Sequence, residues 1–98
     1  MPEQSTTRVM TITHGEFLRS LRPLERHYRI EINDSRQHIV ISGDSGQVQI
    51  NLGDQYIRKL ANLRLPTIEV DLVFTGLGDS ELELFWSRFD LCFRRGGG

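Results

Sequence analysis

The stretch that decides the fold lies near the C-terminus, where residues 80–95 have the sequence SELELFWSRFDLCFRR. Its apolar residues recur three and four positions apart, so they share one face of a helix. They are Leu82, Phe85, Trp86, Phe89, Cys92 and Phe93. A large apolar side chain contributes roughly 1.5 to 3 kcal/mol when fully buried, so this face is expected to anchor the core. The stretch therefore predicts an amphipathic helix lying on a sheet.

Both ends of this helix carry residues that suit a helix terminus. Ser80 and Glu83 fit the S/T-x-x-E capping box, with Ser80 as the N-cap. Arg94 and Arg95 suit the negative end of the helix dipole, and the next residue is a glycine, which ends many helices. We expect the helix to end at Arg95 and residues 96–98 to form a flexible glycine tail.

Alternating apolar and polar residues predict strands before this helix. The clearest case is residues 67–75, where every second residue is apolar. Residues 28–32 and 47–52 alternate in the same way, residues 38–42 are a β-branched run, and short polar turns join the three, so they should form adjacent antiparallel strands. Residues 8–12 are expected to form the first strand of the chain.

Residues 55–65 are ambiguous between a helix and a strand. Ile57, Leu60 and Ala61 fit one helix face only in part, whereas the alternation fits a strand that a lysine interrupts. The segment is short, has no helix C-cap and runs into Pro66. A strand is therefore the favoured interpretation.

The first helix is marked by its start. Thr13 and Glu16 form a capping box, and Ile12 and Phe17 occupy the positions of a hydrophobic staple. Pro23 would clash inside a continuing helix, so we expect the helix to break just before it.

These elements give the order β-α-β-β-β-β-β-α. The predicted fold class is α+β: a mostly antiparallel sheet of about five to six strands, with a short N-terminal helix and a long C-terminal helix packed on it. The 98 residues suffice for one domain. We expect residues 1–7 to be a disordered tail and residues 8–95 to form the domain. The apolar content of 38% and charged content of 26% are typical of soluble globular chains.

Charge and cysteine content narrow the classes of function. The formal net charge is −1, so no broad basic surface favours nucleic acid or an anionic membrane. No apolar run approaches the roughly 20 residues that span a bilayer, and the N-terminus lacks the pattern of a signal peptide. Cys92 is the single cysteine and cannot form an internal disulfide. A reducing, cytoplasmic setting is the simplest expectation.

No set of residues forms a recognisable active site. The three histidines and Cys92 are scattered and lack the spacing of metal ligands. Glu69 and Asp71 share one face of a predicted strand, but we expect them to pair with Arg58 or Arg64 on the strand before it. No catalytic residue, metal or cofactor is therefore predicted, and the sequence leaves enzymatic activity undecided while favouring none.

The leading hypothesis is a small non-catalytic binding module. Leu84 and Leu91 lie seven residues apart on the outer side of the last helix, with Arg88 between them. Exposed leucines in such a row mark a candidate surface for a protein partner or a homodimer, as would an uncovered sheet edge. The alternative is a ligand-binding or enzymatic module with a pocket between the sheet and the last helix.

An arginine stripe supports a third hypothesis. Arg19, Arg22 and Arg26 fall along one side of the first helix, and Arg29 follows shortly after. Such a stripe can hold the phosphates of RNA or another anion, but no aromatic residues are interleaved to stack on bases. Nucleic acid is therefore the less favoured partner.

Overall fold

The structure is a computed structural model that describes residues 4–94. Its elements, in chain order, are β1 (Gln4–Met10), α1 (His14–Leu21), a 3₁₀ turn (Arg22–Arg26), β2 (Arg29–Ile32), β3 (His38–Ser42), β4 (Gln47–Leu52), β5 (Tyr56–Leu60), β6 (Leu63–Thr75) and α2 (Asp79–Cys92). The strands are antiparallel throughout, and the predicted α+β class and order of elements are confirmed.

The sheet has β6 near its centre. The strand order is β1-β6-β4-β3-β2, so β1 and β2 are the edges, and β5 pairs with the first part of β6. The predicted alternation in β6 is confirmed, because Ile68, Val70, Leu72 and Phe74 are all buried beneath the helices. Beyond the sheet, no helix in residues 4–94 is long and apolar enough to cross a membrane.

Strand β1 begins four residues earlier than the sequence predicts. Residues 4–7, expected in a disordered tail, pair in register with β6 from Phe74 back to Asp71. Their polar sequence gives no strand pattern, but a bare edge of β6 would leave backbone N–H and C=O groups unpaired, and any extended segment can satisfy them. Residues 1–3 of the predicted tail lie outside the described residues.

Helix α1 begins as predicted. The Thr13 side chain accepts a hydrogen bond from the Glu16 backbone N–H at 3.1 Å, and the Glu16 carboxylate accepts one from the Thr13 N–H at 3.3 Å. Ile12 and Phe17 are both buried, as a staple requires. The α-helix ends at Leu21 and a 3₁₀ turn begins at Arg22 with Pro23 as its second residue, so the predicted break is confirmed.

Helix α2 has different ends from those predicted. Gly78 is the N-cap, and its N–H donates to the Glu81 carboxylate at 3.0 Å, so the predicted capping box of Ser80 and Glu83 is wrong. Gly78 and Ser80 each have a glutamate three residues later, so this spacing alone does not decide which of them caps the helix. At the other end the helix stops at Cys92, short of Arg94, because Phe93 leaves the helical conformation and packs against the ring of Phe17.

The predicted apolar face of α2 seals the core. Phe85 and Phe89 have no exposed surface, and Phe17 from α1 joins the same aromatic cluster. Trp86 is half-buried, and the guanidinium of Arg8 covers its ring at 4.1 Å from the centroid. The interface between α2 and the sheet is therefore filled by aromatic side chains.

Residues 55–65 form strands as favoured, but with a turn that the sequence analysis does not predict. Tyr56–Leu60 and Leu63–Thr75 are two strands, joined at Ala61 and Asn62. Ala61 has φ +53°, in the left-handed region where glycine is usual. No Asn-Gly or Asp-Gly pair marks this turn, so the segment resembled one interrupted strand.

Candidate interaction surfaces

The most unusual surface is the hairpin arm, which we define as β5 together with residues 63–67 of β6. Every residue from 54 to 64 is exposed. Strand β5 pairs only with β6, and β1 reaches β6 only from Ile68 onward. The arm thus has two unpaired edges. An isolated two-stranded hairpin is marginally stable in water, so the arm gains most from a partner that covers it.

The arm concentrates exposed apolar side chains. Eight large apolar side chains are exposed in residues 4–94, and four of them belong to the arm: Tyr56, Ile57, Leu60 and Leu63. Leu60 lies directly opposite Leu63 in the register, so these two leucines share one face near the tip. An apolar cluster of this kind is typical of an interaction site.

The arm is also strongly positive. Arg58, Lys59 and Arg64 lie between Gln55 and Ile68, a stretch that contains no acidic residue. Lys59 is directly opposite Arg64, and like charges in that arrangement are destabilising. None of the three forms an ion pair within residues 4–94. The charge pattern therefore favours an acidic partner.

The root of the arm is held by α1. The His14 ring nitrogen Nε2 lies 2.7 Å from the Gly53 carbonyl oxygen, and the His14 N–H donates to the Gln55 side chain at 3.3 Å. The Gly53 N–H also donates to the Glu69 carbonyl at 2.8 Å. His14 is thus a structural residue that fixes where the arm leaves the domain.

The second surface, the helix surface, consists of Leu84, Arg88 and Leu91 on α2. The structure leaves Leu84 47% exposed and Leu91 59% exposed. Arg88 is half-buried, donates to the Tyr28 hydroxyl at 3.3 Å and lies over the Tyr28 ring. Leu91 borders a shallow depression of about 180 Å³ that Pro23 and Leu24 also line. The outer side of α2 is thus a continuous, partly apolar strip.

An acidic row runs beside these leucines. Asp79, Glu83 and Asp90 are four and seven residues apart, which places them along one side of α2 next to Leu84. Asp90 binds the Arg8 guanidinium at 2.9 Å, whereas Asp79 and Glu83 have no partner within residues 4–94. This flank of α2 is therefore negative and largely uncompensated.

Glu81 stands apart from that row and has a structural role. Its carboxylate accepts hydrogen bonds from the Ser45 hydroxyl and the Gly78 N–H. These bonds hold the pKa of Glu81 below its ordinary value, with the Ser45 hydroxyl as the larger cause. Glu81 thus joins the β3–β4 turn to the start of α2.

The arginine stripe does not form one surface. Arg19 and Arg22 line an open groove of about 690 Å³ between α1 and β2. The groove is also lined by Arg36, Glu25 and Asp34. Arg26 lines the separate depression beside Leu91, and Arg29 lies on β2 opposite Ser42. Because the helix breaks at Pro23, the four arginines are divided between different sides of the domain.

The space under α2 offers little room for a ligand. The buried rings of Phe85 and Phe89 fill the interface with the sheet. A cleft of about 180 Å³ remains at its edge, between Tyr28, Leu77 and Leu84. Ligand pockets usually measure about 300 to 1,000 Å³. The structure therefore gives little support to the alternative of a pocket under the last helix.

The residues considered for chemistry lie apart. Residues 4–94 contain no group of three His, Cys, Asp or Glu side chains that could hold a metal. Cys92 is half-buried, and burial raises the pKa of its thiol, which disfavours the reactive thiolate. Asp71 accepts from the Thr7 hydroxyl at 2.7 Å. The expected pairing of Asp71 or Glu69 with an arginine of the preceding segment is wrong, because those arginines lie in the arm.

Sequence reasoning found the helix surface and missed the arm. The signal for the arm was present in residues 56–65, which combine five large apolar residues with three basic and no acidic ones. Comparison with models of known families, with curated proteins and with solved structures gave no match to the chain.

Proposed function

We propose that this protein is a non-catalytic interaction module that associates with a second copy of itself through the outer side of α2. The observation that carries the proposal is the exposure of Leu84 and Leu91 in one row on a helix whose opposite face is fully committed to the core. We further propose that it acts in the cytoplasm, where a single half-buried thiol such as Cys92 stays reduced.

The energetics indicate a weak association if α2 acts alone. Leu84 and Leu91 are about half exposed, so burying them on both copies gains roughly half of the 1.5 to 3 kcal/mol that full burial of a leucine gives, or about 3 to 6 kcal/mol for the four leucines. Association itself costs an estimated 4 to 15 kcal/mol in lost translational and rotational freedom. The two amounts are similar, so the helix surface needs additional contacts to support a stable dimer.

The test is the mass of the protein in solution, measured by size exclusion with light scattering over a wide range of concentration. Wild type is expected to shift toward a dimer as concentration rises. The double variant Leu84→Asp/Leu91→Asp is expected to stay monomeric, because it places two carboxylates where apolar contact is needed.

A matched control adds the same charge away from both candidate surfaces. Gln4 and Thr11 are exposed at the two ends of β1, so Gln4→Glu/Thr11→Asp changes the net charge equally. This control should weaken dimerisation less than the leucine variant does. A wild type that remains monomeric at every concentration, or a dimer that the leucine variant leaves intact, would refute the proposal.

A further inference from the structure

We propose that the hairpin arm of one copy docks on the outer side of α2 in a second copy, and that two copies exchange arms in a closed dimer. The inference rests on the self-association proposed above and names the surface that meets Leu84 and Leu91. It assigns a partner to the two most exposed apolar regions of the chain at once.

The charges of the two surfaces are complementary. The arm carries three basic residues and no acidic one. Helix α2 carries four acidic residues and one basic residue, which leaves a net charge of −3. Asp79 and Glu83 have no partner within residues 4–94, and neither do Lys59 and Arg64, which face each other across the arm. Lys59 and Arg64 lie on the face of the arm opposite Tyr56, Leu60 and Leu63, so Arg58 is the cation that docking brings beside Asp79 and Glu83, and the other two add longer-range attraction.

The apolar groups also match in spacing. Leu84 and Leu91 are seven residues apart, which is about 10 Å along a helix. On the arm, the Leu60–Leu63 pair at the tip and Tyr56 at the root lie about 13 Å apart along the strand, on the same face. Arg58 lies between them on that face, with a side chain long enough to reach the acidic flank beside Leu84, whereas Arg88 of the helix is held against the Tyr28 ring.

A second copy fits these observations better than another kind of partner. Both complementary surfaces belong to one chain, yet within a single copy both stay exposed, at 61% for Leu63 and 59% for Leu91. An exchange gives each copy one arm to donate and one helix to receive it, which doubles the contacts without leaving an open end. A nucleic acid would meet the arm but would be repelled by the acidic flank of α2.

Charge reversal tests the docking directly. Arg58→Glu in the arm and Glu83→Lys/Ser87→Lys on the helix are each expected to weaken self-association roughly tenfold or more. When the two variants are mixed, reversed arm meets reversed helix and native arm meets native helix. A heterodimer is therefore expected to form in the mixture, detected by light scattering and by energy transfer between labelled copies.

The conservative variant Arg58→Lys keeps the charge and should remain dimeric, and rising salt should weaken the wild-type dimer. Thermal unfolding of each monomeric variant shows whether the domain is intact, as expected for exposed positions. If an intact variant fails to dimerise with its counterpart in the mixture, the docking is refuted.

The remaining outcomes separate this inference from the proposed function. If the arm variant still dimerises while Leu84→Asp/Leu91→Asp does not, the helix surface pairs with itself and the arm proposal is overturned alone. If wild type is monomeric at every concentration, both proposals fail. If wild type is monomeric and its arm cations instead shift a single-stranded oligonucleotide in a gel, the occupant is a nucleic acid and the inference is overturned.

Discussion

The two halves of β6 are one continuous strand in opposite surroundings. Residues 68–74 lie between β1 and β4, and Ile68, Val70 and Leu72 have no exposed surface. Residues 63–67 pair with β5 alone, and Leu63 is 61% exposed. The residue types are similar in both halves, so the neighbouring strands and helices decide which leucines are core. A leucine without such neighbours in the monomer is available to a partner.

The largest expected effect is a difference in the free energy of unfolding between variants in the two halves of β6. Leu72→Ala is expected to lower the free energy of unfolding by about 2 to 5 kcal/mol, because it opens a cavity under the helices. The matched change Leu63→Ala removes the same atoms from an exposed position and should cost less than about 0.5 kcal/mol. Chemical denaturation at concentrations where the protein is monomeric measures both. Equal losses for the two variants would show that the arm belongs to the cooperative core.

A smaller effect is expected at the tip of the arm. Ala61 has φ +53°, which disfavours an L-residue by roughly 1 to 2 kcal/mol, while glycine in its place has an entropic cost of about 0.5 to 1 kcal/mol. Ala61→Gly should therefore slow amide hydrogen exchange at Leu63 by a few-fold. The neighbouring Asn62 has no such conformation, so Asn62→Gly should speed exchange. The reverse order would show that the turn is not strained at Ala61.

The smallest effect is expected at the start of α2, which follows the end of β6 that is fixed to the domain. Hydrogen bonds from the Ser45 hydroxyl and the Gly78 N–H lower the pKa of Glu81. The ionised carboxylate is therefore more stable in the folded state than in the unfolded chain. Its contribution to stability is therefore present above the ordinary carboxyl pKa of about 4.3 and is lost as the pH falls through the lowered folded-state value.

Glu81→Gln should reduce stability slightly at neutral pH and flatten its loss in acid, as followed by thermal unfolding from neutral to acidic pH. The control is Glu83→Gln, because Glu83 makes no hydrogen bond or ion pair within residues 4–94. If both variants unfold with the same pH profile, the hydrogen bonds to Glu81 contribute nothing to stability.

Local chemistry explains which parts of the fold were predictable. The capping box at Thr13 and the break at Pro23 depend on neighbours within a few residues, so the sequence displays them. The start of α2 was misplaced because Gly78 and Ser80 each have a glutamate three residues later, and the Ser/Thr preference of the capping box favoured Ser80 whereas the helix begins after Gly78. The strand at residues 4–7 carries no pattern of its own and forms only because β6 offers it an edge.

The candidate interaction surfaces also differ in how far the sequence predicts them. The helical spacing of Leu84 and Leu91 opposite the aromatic face was sufficient to predict their exposure, because a helix has only one side toward its core. The basic and apolar composition of the arm is visible in the sequence, but its hairpin was missed because the turn at Ala61 and Asn62 lacks the usual residues. The arginine stripe was predicted on a continuous helix that Pro23 interrupts, and the structure separates Arg26 from Arg19.

By itself the sequence determined the α+β class, the order of the elements and the two faces of the last helix, because periodicity and capping are local properties of the chain. The tertiary structure alone decided that β6 extends past the sheet into a positive, apolar arm. It also decided that an acidic, leucine-bearing helix side remains uncovered. Which strand lies beside which is a long-range outcome of packing, and exposure follows from that packing.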